Sequence, residues 1–220
     1  MKIAVLKESR GGETRVAATP ETVKKFVGGG HSVAIEKGAG DTASIPDSAY
    51  EAAGATVGTA AATLKGADAV FGVRAPSDAT IAKLPKGALL VALMEPHGNK
   101  ALAGTLAEAG VEALAMEFVP RITRAQAMDA LSSQSNLAGY RAVIEAAHIF
   151  GKAFPMMMTA AGTIAPAKVF VMGAGVAGLQ AIATARRLGA MVSATDVRPA
   201  AKEQVGSLGA KFIAVEDEEF

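Results

Sequence analysis

The sequence predicts an α/β fold of two parallel-sheet domains, the second truncated after a βαβαβ half. Three observations carry that expectation. Short apolar runs alternate with helix-starting signals along the chain, the pattern of strands joined by crossover helices. Two runs, Asp68 to Val73 and Ala88 to Met94, are almost wholly apolar, as suits strands buried on both faces of a parallel sheet. A glycine-rich turn, Gly173-Ala-Gly175-Val-Ala-Gly178, lies directly between a strand-like and a helix-like segment.

Composition narrows the function classes. The 220 residues correspond to about one and a half domains at ~150 residues each. Of these, 49 are Ala and only 5% are aromatic, so the mean hydropathy of +0.30 comes from small side chains and does not argue for a membrane protein. Lys and Arg total 22 against 21 Asp and Glu, a balance that speaks against nucleic acid or an anionic membrane as main partner. The absence of Cys excludes a disulfide scaffold, a thiolate metal site and a catalytic thiol, and no metal site is expected. The N-terminus has no signal-peptide pattern. The most apolar stretch, residues 155–185, is interrupted by Pro166, Lys168 and three glycines, so no membrane insertion is expected.

In order, Ile3 to Leu6 reads as the first strand, followed by a turn through Gly11 and Gly12. Thr19-Pro20-Glu21 starts a helix, with Thr as N-cap and Pro at the first helical position, and Gly28 to Gly30 ends it. Ser32 to Ile35 is the next strand, and Pro46-Asp47 opens a second helix. After the two apolar strands, Asn99 to Ala109 reads as helix and Val111 to Met116 as strand. The pattern breaks between Phe118 and Leu137. Ser135 or Asn136 is then positioned to cap a long helix through Tyr140, Val143, Ile144 and Ala147. The boundary is placed at residues 132/133, giving domains 1–132 and 133–220. Met156 to Met158 reads as core filling.

Lys168 to Met172 is a strand, Leu179 to Leu188 a helix, and Met191 to Thr195 a second strand ending on Asp196. This is the context that G-x-G-x-x-G requires. The first glycine makes the turn, the second lets a pyrophosphate approach, and the third packs helix on strand. The helix N-terminus offers free N–H groups to phosphate. Asp196, 18 residues after Gly178, is placed to accept from the adenosine ribose hydroxyls. Its charge favours NAD over NADP, although Arg198 is placed to meet a 2′-phosphate. Lys202 to Leu208 reads as helix and Lys211 to Val215 as a third strand. The domain is thus a Rossmann-like half, and the sequence is expected to be a piece of a longer chain.

Arg121, Arg124, Gln126, Asp129 and Ser132 fall in the break segment, which is expected to be loop. The last three recur every third residue. A helical turn or extended loop would point an amide, a carboxylate and a hydroxyl the same way, as recognition of a carboxamide requires. The same spacing equally suits a solvated polar loop.

KESRGGETRVAATPETV, PRITRAQAMDALSSQSNLAGYRAV, the MMMTAAGT run and GAGVAGLQAIATARRLGA with ATDVR closely resemble the NAD(H)-binding component of proton-translocating NAD(P) transhydrogenases, over essentially all 220 residues. The related alanine dehydrogenases share the less specific parts. The resemblance implies a soluble two-domain homodimer that binds NAD(H) and passes hydride directly to NADP(H) on a partner component, and that is inactive without it. It implies a second partner, a membrane proton-channel component, and a cytoplasmic location peripheral to the inner membrane. Arg121, Gln126 and Asp129 correspond to the family's loop at the nicotinamide and the partner, and Ser132 to a carboxamide contact. Gly173, Gly175, Val176 and Gly178 correspond to the pyrophosphate turn, and Asp196, Val197 and Arg198 to the adenosine end.

Two alternatives stay open. An alanine dehydrogenase would need an acid/base group and cationic anchors, but the family's Lys and His positions read here as Arg74 and Met94, with His97 three residues further on. Arg15 is common to both families. The other alternative is a non-catalytic NAD-binding module.

Overall fold

The computed structural model describes residues 1–214. It divides into two compact units, Met1–Met128 and Asp129–Phe220. The division falls at the N-cap of a long helix, four residues before the boundary expected at 132/133.

The first unit runs β1 (Lys2–Val5), α1 (Pro20–Gly28), β2 (Ser32–Glu36), α2 (Asp47–Ala52), β3 (Thr56–Gly58), α3 (Ala60–Leu64), β4 (Ala69–Arg74), α4 (Asp78–Ile81), β5 (Leu89–Leu93), α5 (Lys100–Ala109) and β6 (Glu112–Ala115). All six strands are parallel, in the order β3-β2-β1-β4-β5-β6. Alternate residues of each strand point to opposite faces, and the two faces bury separate cores. Ala4, Leu6, Val70 and Leu90 pack with Leu64, Ile81, Leu102 and Leu106 on one. Val5, Val33 and Ile35, joined by Phe71, pack with Val23 and Tyr50 on the other. The chain therefore winds from β1 outwards in both directions. That leaves a crevice at the C-terminal ends of β1 and β4, where the connections diverge.

Thr19 caps α1 as expected, its side chain accepting from the Thr22 N–H, and Asn99 caps α5 in the same way. Neither β3, α3 nor α4 is legible in the sequence. Each is six residues or fewer, too short for a period to show.

The second unit runs α6 (Ala130–Ile149), β7 (Met157–Thr159), β8 (Gly162–Ile164), β9 (Lys168–Met172), α7 (Val176–Arg187), β10 (Met191–Thr195), α8 (Ala201–Ser207) and β11 (Lys211–Phe212). Strands β9, β10 and β11 form a parallel sheet in the order β11-β10-β9. Val143, Ile182, Ala185, Val192, Ala194 and Val205 form its core. The expected third strand is present only as Lys211–Phe212, and Val215 to Phe220 lie outside the described residues.

Two expectations are corrected. Helix α6 is capped by Asp129, not by Ser135 or Asn136. Asp129 accepts from the Ser132 N–H at 2.9 Å, and a carboxylate at this end also answers the helix dipole. The serine-rich run that suggested a loop is helix, so Ser132 lies in a first turn. Met156, Met157 and Met158 are not core. They are 58%, 47% and 71% exposed, beside or in the two-stranded hairpin β7–β8. The hairpin uses all six of its residues in exposed positions, so no hydrophobic layer of this unit covers it. No helix of the described residues is long and apolar enough to cross a membrane.

Tyr50 is fully buried, and its hydroxyl donates to the Ala18 carbonyl at 2.9 Å. Tyr50→Phe leaves that buried carbonyl unsatisfied. It is expected to cost about 1–2 kcal/mol, read from the urea midpoint of the first unit with an unchanged slope.

Candidate functional site

In the second unit, β9 runs straight into the glycine turn, and the ladder continues one step as the Gly173 N–H donates to the Thr195 carbonyl at 2.8 Å. The three glycines of the motif differ in what requires them. Gly173 has φ +93°, a conformation L side chains rarely adopt. A Cβ on Gly178 would overlap the Gly173 carbonyl oxygen and stand 2.8 Å from its carbon. Both are required by the fold. Gly175 has φ −75°, and a Cβ there would meet nothing within 4 Å. The chain itself gives no reason for glycine at this position. What its missing side chain preserves is open space at the N-terminus of α7, where Gly175 is the N-cap and Val176 the first helical residue. That space, with the N–H groups and dipole of a 12-residue helix behind it, fits a phosphate.

Asp196 follows β10 and its side chain is 6% exposed. One carboxylate oxygen accepts from the Ala174 N–H at 2.6 Å, inside the glycine turn. The other accepts from the Arg198 N–H at 2.8 Å, and the Arg198 guanidinium closes on both oxygens at 2.9 and 3.0 Å. That guanidinium, with the two backbone N–H groups, holds the carboxyl well below the usual carboxylate range. Asp196 thus braces the glycine turn and is paired to Arg198. Val197 is 90% exposed.

The break segment contains a 3-10 turn, Thr123–Met128, and the threefold recurrence of Gln126, Asp129 and Ser132 reflects it. Arg121, Arg124 and Gln126 are exposed, the last two on that turn. Asp129 and Ser132 are brought together at the start of α6, where the Ser132 hydroxyl donates to Asp129 at 2.6 Å. With its hydrogen committed there, the hydroxyl oxygen is left as an acceptor for an incoming N–H.

In the first unit, a cavity of about 540 Å³ opens at the β1/β4 crevice, lined by Leu6, Glu8, Arg10, Gly72 and Arg74 among others. Its charged groups answer one another. Glu8 accepts from the Val73 N–H at 2.6 Å, and burial pushes its carboxyl up. Arg15 grips Glu13 with two bonds of 2.7 and 2.6 Å and holds it down at about 2. Arg10 and Arg74 both reach Glu95, each at 3.2 Å. Glu95 has φ +53°, and Glu117 holds it there by accepting the Met94 and Glu95 N–H groups. Met94 is buried, and the His97 ring packs edge-on against Phe118 at 5.4 Å. Sequence reasoning passed over Glu8, Glu13, Arg10, Glu95 and Glu117. The available signal was that Glu8, Glu95 and Glu117 each follow a strand end within three residues.

Glu13 ionises near 2 in the folded chain against 4.5 ordinarily. A depressed carboxyl contributes stability above its unfolded value and loses it as pH falls towards the folded one. Wild type is therefore expected to exceed Glu13→Gln by about 1 kcal/mol at pH 7, the upper end for a partly exposed pair. The difference should shrink between pH 4.5 and 2, as followed by urea unfolding across that range.

A family model described as alanine dehydrogenase/PNT, N-terminal domain, matches residues 4–138, and the corresponding C-terminal domain matches 142–219. The chain is 58% identical to the first component of the two-piece NAD(P) transhydrogenase subunit alpha of Rhodospirillum rubrum, over 99% of this chain and 58% of that protein. A solved transhydrogenase structure from Sinorhizobium meliloti superposes with a TM-score of 0.95 at 60% identity, covering 97% of this chain and 64% of that one. A solved L-alanine dehydrogenase superposes at 0.86 with 28% identity, covering 100% and 62%. The chain thus spans about three-fifths of the length of these relatives. Matched in both of its halves, it belongs to the alanine dehydrogenase/PNT family.

Proposed function

We propose that the chain is the NAD(H)-binding component of a proton-translocating transhydrogenase, passing hydride directly from NADH to NADP held by a partner component. The observation that carries the nucleotide part is Gly175, a glycine with ordinary dihedrals and no neighbour to avoid, at the N-cap of α7. The likeness to the Rhodospirillum rubrum subunit supports the rest.

In this reading Gly173, Gly175, Val176 and Gly178 form the pyrophosphate seat, and the backbone N–H groups of the first turn of α7 bind the phosphates. Asp196 receives the adenosine ribose, and its negative charge disfavours a 2′-phosphate, so NAD(H) binds here and NADP(H) on the partner. Val197 and Arg198 flank that end. The nicotinamide supplies the hydride. Ser132, its proton already given to Asp129, accepts from the carboxamide N–H and fixes the ring's rotation. Arg121 and Gln126, exposed as they are, meet the partner component. Nothing here needs to move a proton: hydride transfer between two rings depends on holding them close, aligned and dry. A homodimer, attached to the inner membrane through a proton-channel partner, completes the assembly.

The alanine dehydrogenase alternative needs cations free to anchor a carboxylate. Arg74 and Arg10 are instead held by Glu95, and Met94 is buried where that family has its His. Full-length protein carrying this chain should reduce an NADP analogue with NADH once the NADP-binding component is added. No transfer would overturn the proposal, alanine-dependent NADH formation without a partner would install the alternative, and NAD binding with neither activity would leave a binding module.

Gln126→Asn is expected to slow hydride transfer by up to about 100-fold while changing NADH affinity less than about threefold, as a small misplacement of reacting groups does. Stopped-flow transfer and equilibrium binding separate the two effects. Asp196→Ala should weaken NADH binding by about tenfold, the loss of about one charge-assisted hydrogen bond. Unchanged affinity by titration calorimetry would remove its ribose role.

A further inference from the structure

Gly139 lies in the middle of α6, where glycine is disfavoured by about 1 kcal/mol relative to alanine. It is buried, and its neighbour explains its presence. A Cβ at this position would overlap the carbonyl oxygen of Ala177 and stand 2.8 and 3.0 Å from that residue's carbonyl carbon and Cα. These are backbone atoms, so they have no rotamer with which to move aside. Ala177 is the second residue of α7, immediately after Val176. The missing side chain of Gly139 therefore lets α6 rest directly on the first turn of α7.

The crossing is fastened along its length. The Asn136 amide donates to the Gln180 side-chain oxygen at 3.1 Å. The Gln180 amide in turn donates to the Thr184 hydroxyl at 3.1 Å, and that hydroxyl donates to the Gln180 carbonyl at 2.8 Å. Thr184 is buried, and so is Val143 one turn beyond Gly139. The first turn of α7 is thus seated from two sides, by Gly178 against the Gly173 carbonyl and by Gly139 against the Ala177 backbone.

We infer that Gly139 is a positioning residue for pyrophosphate binding: it sets the place of the α7 first turn, and so the aim of its N–H groups, without touching the nucleotide. The inference rests on the nucleotide reading above. Adding a Cβ pushes that turn away from α6 while Gly173 and Asp196 hold the preceding loop. The loss should therefore fall on the pyrophosphate and spare the adenosine end.

The test uses the full chain, with ADP-ribose and adenosine as probes, each titrated by NMR on wild type, Gly139→Ala and Val143→Ala. Val143→Ala removes core volume beside the same crossing without touching Ala177, and serves as a destabilised control. Gly139→Ala should bind ADP-ribose about tenfold more weakly, the equivalent of about one lost hydrogen bond, with adenosine affinity unchanged. Val143→Ala should lower the melting temperature and leave both affinities near wild type at room temperature. Should Gly139→Ala fail to fold, Asn136→Ala releases the same clamp and should weaken ADP-ribose selectively, by about threefold. The inference is overturned if the glycine variant, or Asn136→Ala in its place, binds ADP-ribose as wild type does, or loses both probes equally. Wild type that binds neither probe overturns the nucleotide reading itself, and the inference with it.

Discussion

Helix α7 can begin where it does only because side chains are missing around it. Its first turn lies against the carbonyl of Gly173 on one side and is met by α6 on the other, and a single Cβ at Gly178 or Gly139 would collide with backbone in either case. Close approach of main chain to main chain is the constraint from which the second unit follows. It brings the helix N-terminus to the end of β9, packs Ile182 and Ala185 onto the small sheet, and leaves Gly175 facing open space. The abundance of Ala serves the same end, since thin side chains let helices and strands approach closely without voids.

A second device recurs in both units. Beyond the end of a parallel strand, the next backbone N–H has lost its ladder partner, and a carboxylate from the adjacent strand's end supplies one. Glu36 after β2 takes the Lys7 N–H after β1 at 2.9 Å. Glu8 takes those of Val73 and Arg74 at the end of β4. Glu117 takes those of Met94 and Glu95 after β5, and Asp196 after β10 takes that of Ala174 after β9. Asp196 thus stands to its sheet as Glu36 does to the larger one. The difference lies in what surrounds them. At the crevice of the first unit the acids and arginines pair with each other. In the second unit the acid stands beside a glycine turn that keeps space clear.

Much of this is legible in the residues. The larger strands, helices α1, α2 and α5, and the strand–turn–helix–strand around Gly173 follow from local period, caps and glycine spacing, because those signals act over a few neighbouring residues. The start of α6 is easily misread because serines lower helix propensity, whereas one Asp three residues before Ser132 decides the cap. The methionines at 156–158 mislead because hydrophobicity signals a preference for burial, and only the fold decides whether a covering layer exists.

The sequence by itself determined the alternating architecture, the glycine turn and its following acid, since each is written in contiguous residues. Tertiary structure alone decided which glycines the fold consumes and which it leaves open, that Arg198 closes on Asp196, and that Gly139 seats α6 on α7. Those depend on atoms that meet closely although their residues stand well apart in the chain, as Gly139 and Ala177 do. No local pattern records a collision that a missing side chain avoids.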